Sequence, residues 1–358
     1  MPLIHDAFTA ANIAGYYDAT RTQVNQTLGQ KYFPVKKQRG LNLAFIKGAG
    51  GRPVVLRASA FDTPMTFRDR ISVELNQEKM PFFKEAMLVK EEDRQELALL
   101  EMTGNSALID TITSTIFNDK VTLINGAHAR LEAMRMQVLA TGMVAIDSNG
   151  VFRDIDYQVA EENKGETTIA WGEEGYDPIG DIEEAKAALE DIGGLAEVLI
   201  LNSKTYGLLR KASSTVARIK PLAVQGATVT NAELDQHLKD NYDLIVQVKN
   251  EVFVDDDGAT KKFYPDGRLT LAPNKPIGNT VFGTTPEEMD LVSGANLNVS
   301  IVDTGIAVTT KTSDDPVNTT TKVTMIALPS FEALDQVYML DVTVTAEVEE
   351  EEEEVPEG

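Results

Sequence analysis

Residues 128–146 read "HARLEAMRMQVLATGMVAI", half charged helix and half apolar run. Leu131, Met134 and Val138 fall at i, i+3 and i+7 and make one apolar stripe. Glu132 and Arg135 form an i, i+3 pair on another side. Gly142 stands where a glycine cap ends a helix, and "MVAI" then opens a strand. The stretch therefore reads as the end of a long helix turning into a sheet.

Upstream, residues 87–142 contain no proline and few stop signals besides "TGN" and "NG". They read as one long helix or two nearly collinear ones. Residues 54–80 read as two extended strands with a loop between. "VVLR" leads in, and "RISVEL" alternates Ile71, Val73 and Leu75 with Arg70, Ser72 and Glu74, a strand with one covered face. The connecting loop carries Phe61, Met65 and Phe67, followed by Arg68, Asp69 and Arg70. Either this hairpin packs on its own domain or it is an arm that packs on a neighbour, and the pattern leaves both open. These six residues are the candidate interface set. Residues 1–50 mix short helical and irregular pieces and end in "KGAGGRP", a flexible joint. A phosphate loop would need Gly-Lys-Ser/Thr at fixed spacing, which is missing.

Downstream, "DSNG" turns and "VFRDIDYQV" returns as a strand. From about 178 helix and strand alternate. "DIEEAKAALEDIGG" reads as a helix with a capping box at Asp181 and Glu184, a buried stripe of Ile182, Ala185, Leu189 and Ile192, and a stop at Gly193. "LAEVLILN" reads as a buried strand, "SKTYGLLRKAS" as a helix capped by Ser203, and "TNAELDQHLKDNY" as a helix boxed by Thr230 and Glu233. "DLIVQVKNEVFV", "ATKKFY" and "GRLTLAP" follow as three strands. Residues 180–285 thus form an α/β unit, and 296–345 return to strand composition.

Composition limits the chemistry. The chain has 358 residues, no cysteine and a formal charge of −23; without the eight carboxylates of its last twelve residues the body still carries −15. No disulfide, thiolate metal site or Cys nucleophile is available, in keeping with synthesis in a reducing cytosol. No Lys/Arg-rich stripe offers to neutralise phosphates, so avid nucleic-acid binding is not expected, nor is an anionic membrane surface. No apolar run approaches the length of a membrane span and no signal peptide is apparent. The Glu-rich end, from Glu349, reads as a disordered tail.

Only His5, His128 and His237 are present, with no HExxH and no pair at ligand spacing. His128 reads as a solvated or hydrogen-bonded side chain rather than a base. GxSxG, SxxK and GxGxxG patterns are missing. "VDDDGAT" fails as a calcium loop, because Gly258 at position six puts Phe253 and Tyr264 at positions one and twelve. It and "YPDGR" read as turns. Trp171 in "AWGEEGYDP" reads as packing. A paired-carboxylate hydrolase finds no two acids set around a reacting bond.

The order of segments is distinctive: arm, extended hairpin, long helix, small sheet, α/β unit, returning strands. It resembles the major capsid proteins of tailed bacteriophages with the Hong Kong 97-type fold, and within them the lambda-type major head protein family. "RLEAMRMQVLATGMVAI", "DIDYQV", "WGEEGYDPIGDI", "KKFYPDGRLTLAPNKPIGNTVFGTTPEE" and "SDDPVNTTTKVTMIALPSFEALDQVYMLDV" carry the resemblance, which covers most of residues 50–345. It implies an α+β fold with an N-terminal arm at 1–53, an extended loop at 54–80, and a peripheral domain at 81–177 with a spine helix at about 87–142. An axial domain at 178–295, strands returning to the peripheral domain at 296–346 and an acidic tail from 347 complete it. It implies a shell subunit that self-assembles into hexamers and pentamers around packaged double-stranded DNA, located in the virion after assembly in the host cytoplasm. The implied partners are further copies, a separate scaffold protein, a portal and a maturation protease, with a decoration protein left open. It implies no catalytic site, cofactor or metal. A soluble binding module with an acidic tail and an acidic hydrolase are the alternatives. Which of Arg130, Glu132 and Arg135 face solvent and which the next subunit stays open.

Overall fold

The computed structural model describes residues 8–20, 26–46, 75–103, 106–221, 227–294 and 298–345. Their contacts form two compact units: the described residues up to Arg135 with those of 278–332, and those of 136–277 with those from Ala333 on.

The chain begins with α1 (Ala10–Thr20), α2 (Leu28–Tyr32), β1 (Val35–Lys37) and β2 (Asn42–Ile46). It continues with β3 (Leu75–Lys79), β4 (Phe82–Val89), α3 (Glu91–Thr103) and α4 (Ser106–Thr141). The 36 residues of α4 contain no proline, and the helix stops where expected. Gly142 takes φ +71° and its N–H donates to Val138 O at 2.8 Å. Any Cβ there would overlap Val159 Cγ2, so glycine is required twice over.

Next come β5 (Met143–Ser148) and β6 (Val151–Asp156), an antiparallel hairpin turning at Asn149 and Gly150, both with positive φ. The α/β stretch holds β7 (Lys164–Thr167), α5 (Pro178–Asp191), β8 (Val198–Leu201), α6 (Ser203–Lys211) and α7 (Ser213–Ile219). It goes on through α8 (Asn231–Tyr242), β9 (Ile245–Val248), β10 (Val252–Val254), β11 (Thr260–Lys262) and β12 (Arg268–Ala272). Last are β13 (Gly278–Phe282), α9 (Pro286–Val292), β14 (Val299–Val302), β15 (Ile306–Thr312), β16 (Thr319–Phe331) and β17 (Tyr338–Thr345).

In the first unit β16 is the organising strand. Its N-terminal half lies between β15 and β4, its C-terminal half pairs with β13, and β1 adds parallel to β13. In the second unit the order is β7-β17-β12-β8-β9, parallel at the β7–β17 and β8–β9 edges and antiparallel within. Ile182 and Leu189 of α5, Leu199 and Leu201 of β8, Leu234 and Leu238 of α8, and Leu340 and Val342 of β17 form its core. Each such side chain contributes about 1.5–3 kcal/mol on burial.

Several elements differ from expectation. The helical region opens at Glu91, not 87; that it is two helices is one of the two readings the sequence left open. Residues 87–89, expected in the helical region, instead end β4 at 82–89, because eight consecutive register positions on β16 outweigh their propensity. "DLIVQVKNEVFV" is two strands, β9 and β10, which join different sheets. β17 was expected among strands returning outside the α/β unit; it pairs with β12 and β7 instead, since Leu340 and Val342 belong to that core. α5 starts at Pro178, whose fixed φ suits a first turn, so no capping box forms at Asp181 and Glu184. Asn202, not Ser203, caps α6 by accepting from Thr205 N. The Thr230–Glu233 box forms as expected. Of the hairpin expected at 54–80, β3 pairs with β2, a strand that sequence did not predict; 54–74 lie outside the described residues.

Candidate functional site

The deciding stretch places its stripe as expected: Leu131, Met134 and Val138 are buried. Its charged pair is the surprise. Glu132 and Arg135 are only 5% and 2% exposed, so they face neither solvent nor a neighbour but the interior of the first unit.

They are held by segments far away in sequence. Thr27 opens α2 with a capping box to Gln30. The same Thr27 hydroxyl donates to Glu132 Oε2 at 2.7 Å, and Gly29 N–H donates to Glu132 Oε1 at 3.1 Å. A Cβ on Gly29 would collide with the Glu132 carboxylate and lie 2.8 Å from Arg135 Cδ, so only glycine lets α2 come this close. Arg135 Nη1 is 3.5 Å from Glu132 Oε2, and its Nε donates to Thr280 Oγ1 at 2.8 Å. Thr280 in turn donates its hydroxyl to Phe33 O and its N–H to Pro34 O. Burial pulls the Arg135 guanidinium below its ordinary value while Glu132 opposes that shift. A buried pair repays its desolvation only when lone pairs and N–H groups are satisfied, and here both carboxylate oxygens have donors. The network ties residues 27–34 to α4 and β13.

A second contact set seats α1. Its first N–H donates to Asn298 Oδ1 at 3.0 Å. His128 Nε2 lies 3.0 Å from Tyr17 Oη and 3.0 Å from Asp303 Oδ2, and the Tyr17 and His128 rings stack. The hydrogen-bonded reading of His128 therefore holds. Phe117 packs on Phe8 and Tyr16, and Lys120 Nζ sits 4.1 Å above the Phe8 ring.

In the second unit Trp171 is buried, as expected, and donates Nε1–H to Asp181 at 2.7 Å. Asn202 Nδ2 donates to Tyr264 O, Pro265 O and Asp266 Oδ1, pinning the "YPDGR" turn, while Gly267 takes φ +69°. His237 Nδ1 lies 3.1 Å from Asn241 Nδ2. Among the described residues no group of three or more His, Asp or Glu is placed to hold a metal ion, and no helix is long and apolar enough to cross a membrane.

The interface candidates Phe61, Met65, Phe67, Arg68, Asp69 and Arg70 lie outside the described residues, as do His5 and the acidic tail. Sequence reasoning missed Thr27, Gly29, Thr280 and Asp303. Only the first had a local signal, the Thr-x-x-Gln box at 27–30.

The arrangement is one of anchors, with long-range polar ties holding a chain segment on a helix. The family model for phage major capsid protein E matches residues 9–342. The chain belongs to that family. It is a phage major capsid protein, a component of the virion shell. No curated protein matches at the level of sequence. Among solved structures it is similar to a protein described as the capsid protein of a prophage of E. coli CFT073, at 17% identity and TM-score 0.58, over 93% of this chain and 99% of that one. It is also similar to a phage-related protein of Bordetella bronchiseptica RB50, at 13% identity and TM-score 0.55, over 94% and 97% of the two chains. At such identities the likeness speaks for the fold alone. The capsid protein has the α+β Hong Kong 97-type fold expected from its segment order.

Proposed function

We propose that this capsid protein assembles as hexamers and pentamers into an icosahedral shell enclosing packaged double-stranded DNA, and that it does so without enzymatic activity. The family match over residues 9–342 is the observation that carries the reading. The segment roles proposed are an arm to residue 53, an extended loop at 54–80, a peripheral domain at 81–177 with its spine helix and an axial domain at 178–295, with β14, β15 and β16 as the returning strands and β17 in the α/β sheet. The extended loop, with Phe61, Met65, Phe67, Arg68, Asp69 and Arg70, lies on a neighbouring copy. Scaffold protein, portal and maturation protease are separate partners, and assembly takes place in the host cytoplasm.

Charge supports the part played toward DNA. A shell must enclose the genome without gripping it, and a chain of −23 repels phosphates at the ranges where a basic lining would hold them. Heterologous contacts that close into rings are the geometry such a shell needs.

Negative-stain electron microscopy tests the reading. Protein produced with its scaffold partner should give shells, tubes or capsomer rings, and a monodisperse monomer under those conditions would overturn it. Deleting residues 58–66 should leave a folded subunit unable to assemble. Normal shells from that variant would refute the role of the loop.

A further inference from the structure

Lys120 of α4 is a buried cation in the first unit. It is 2% exposed, and among the described residues its Nζ has no hydrogen-bond partner. Its neighbour is the face of Phe8, 4.1 Å from the ammonium, at the root of α1. A ring quadrupole attracts a cation, but it replaces only part of the hydration that burial removes. The elements that pack with α1 carry charged groups that include Asp18 on α1 itself, Asp119 and His128 on α4, Asp303 after β14, and Lys311 on β15. Among the described residues none of these bonds or pairs with Nζ. The other anchors of α1 are Tyr16 on Asn118, Tyr17 on His128, and Ala10 on Asn298.

We propose that α1 is a proton-linked, releasable arm: seating it over Lys120 expels a proton, and protonation of Lys120 loosens it. Phe8, at the root of α1, lies over the ammonium, so lifting that segment uncovers Lys120. Burial pulls Lys120 from 10.5 down to about 8. A group whose seated value is depressed opposes seating fully below about 8, and this opposition fades as the pH rises toward 10.5. Seating is therefore favoured by alkali and weakened near neutrality. A subunit that passes from solution into a shell is served by an arm that can change its contacts without unfolding the body.

Hydrogen–deuterium exchange of the full-length, unassembled subunit tests this, with protection in α1 corrected for the intrinsic pH dependence of exchange. In the wild type, α1 protection should rise by up to roughly 25-fold from pH 7 to pH 9.5, the ratio those two values set. The rise should persist in His128→Gln. In Lys120→Met, which keeps the volume and removes the charge, α1 should be more protected at pH 7 and show no such rise. Lys120→Arg, a cation at every pH tested, should loosen α1 and also show no rise. Protection in α8 of the other unit reports that each variant is folded. A flat wild-type profile, or Lys120→Met with α1 unchanged or less protected at pH 7, overturns the proposal. The wild-type profile decides even if a variant fails to fold.

Discussion

Replacing Glu132 by Ala removes the acceptor of Thr27 and Gly29 and the counter-ion of Arg135 together. Arg135 stays 2% exposed in the wild-type frame and, among the described residues, keeps the Thr280 hydroxyl alone. Breaking a buried pair by removing one partner costs about 3–5 kcal/mol, because the remaining charge is stranded. For a unit of this size each kcal/mol moves Tm by about 2–4 °C, so a fall of roughly 6–20 °C is expected. Thermal unfolding followed by circular dichroism reads it, with hydrogen exchange over residues 26–34 showing that the loss begins at α2. Glu132→Gln should fall between, since one amide oxygen can accept while its NH₂ group cannot. The double variant Glu132→Leu with Arg135→Met should lose much less than the two single losses added, since no charge is then stranded. A Tm change under about 2 °C in Glu132→Ala, or strict additivity in the double variant, would refute the account.

Three further outcomes follow from local geometry. Gly142→Ala should cost about 1–3 kcal/mol in thermal unfolding, from the positive φ and the overlap with Val159, whereas Gly126→Ala in an open stretch of the same helix should gain about 0.5–1 kcal/mol. Asn202→Ala should cost about 2–4 kcal/mol in urea unfolding, because the cap of α6 and the ties to residues 264–266 are lost together. Burial alone would raise Glu287, but hydrogen bonds from Lys322, its own backbone N–H and Thr324 outweigh it and hold the carboxyl below 4.5. Its contribution is present above pH 4.5 and lost as pH falls through the lower, folded value, so Glu287→Gln should flatten the acid limb of stability measured between pH 5 and 3.

What could be read from sequence was what a few adjacent residues encode. Gly142 and Gly193 end their helices in the left-handed region, Thr230 and Glu233 close their box, and the Gly258 and Gly267 turns form. β8 is buried at all four positions, as its apolar run requires. The exceptions have visible competitors. Asp181 could not cap α5 because Pro178 starts the helix a turn earlier and Trp171 takes the carboxylate. β4 carries Lys84 and Glu85 and no clean alternation, and only the register with β16 makes it a strand. The site was less legible still. Thr27 and Gly29 lie more than 100 positions from Glu132, and Thr280 lies 145 from Arg135. No window along the chain can show that a Glu–Arg pair at i, i+3 will be buried rather than solvated.

The two buried cations of α4 then carry opposite meanings. Arg135 has a carboxylate, a hydroxyl and a helix start converging on its pair, and Lys120 has a single aromatic face. A satisfied pair adds little net energy over an apolar substitute of equal volume, yet it penalises every arrangement that leaves one member alone. It therefore fixes where residues 27–34 sit on α4 rather than how tightly they sit. An unsatisfied cation penalises the seated arrangement itself. One end of the arm is thus set in register while the other is held under tension, and the same unfolding assay should show it: removing Glu132 lowers stability, removing the charge of Lys120 raises it. If both changes lowered stability by similar amounts, packing alone would account for the helix, and the distinction between its two cations would fall.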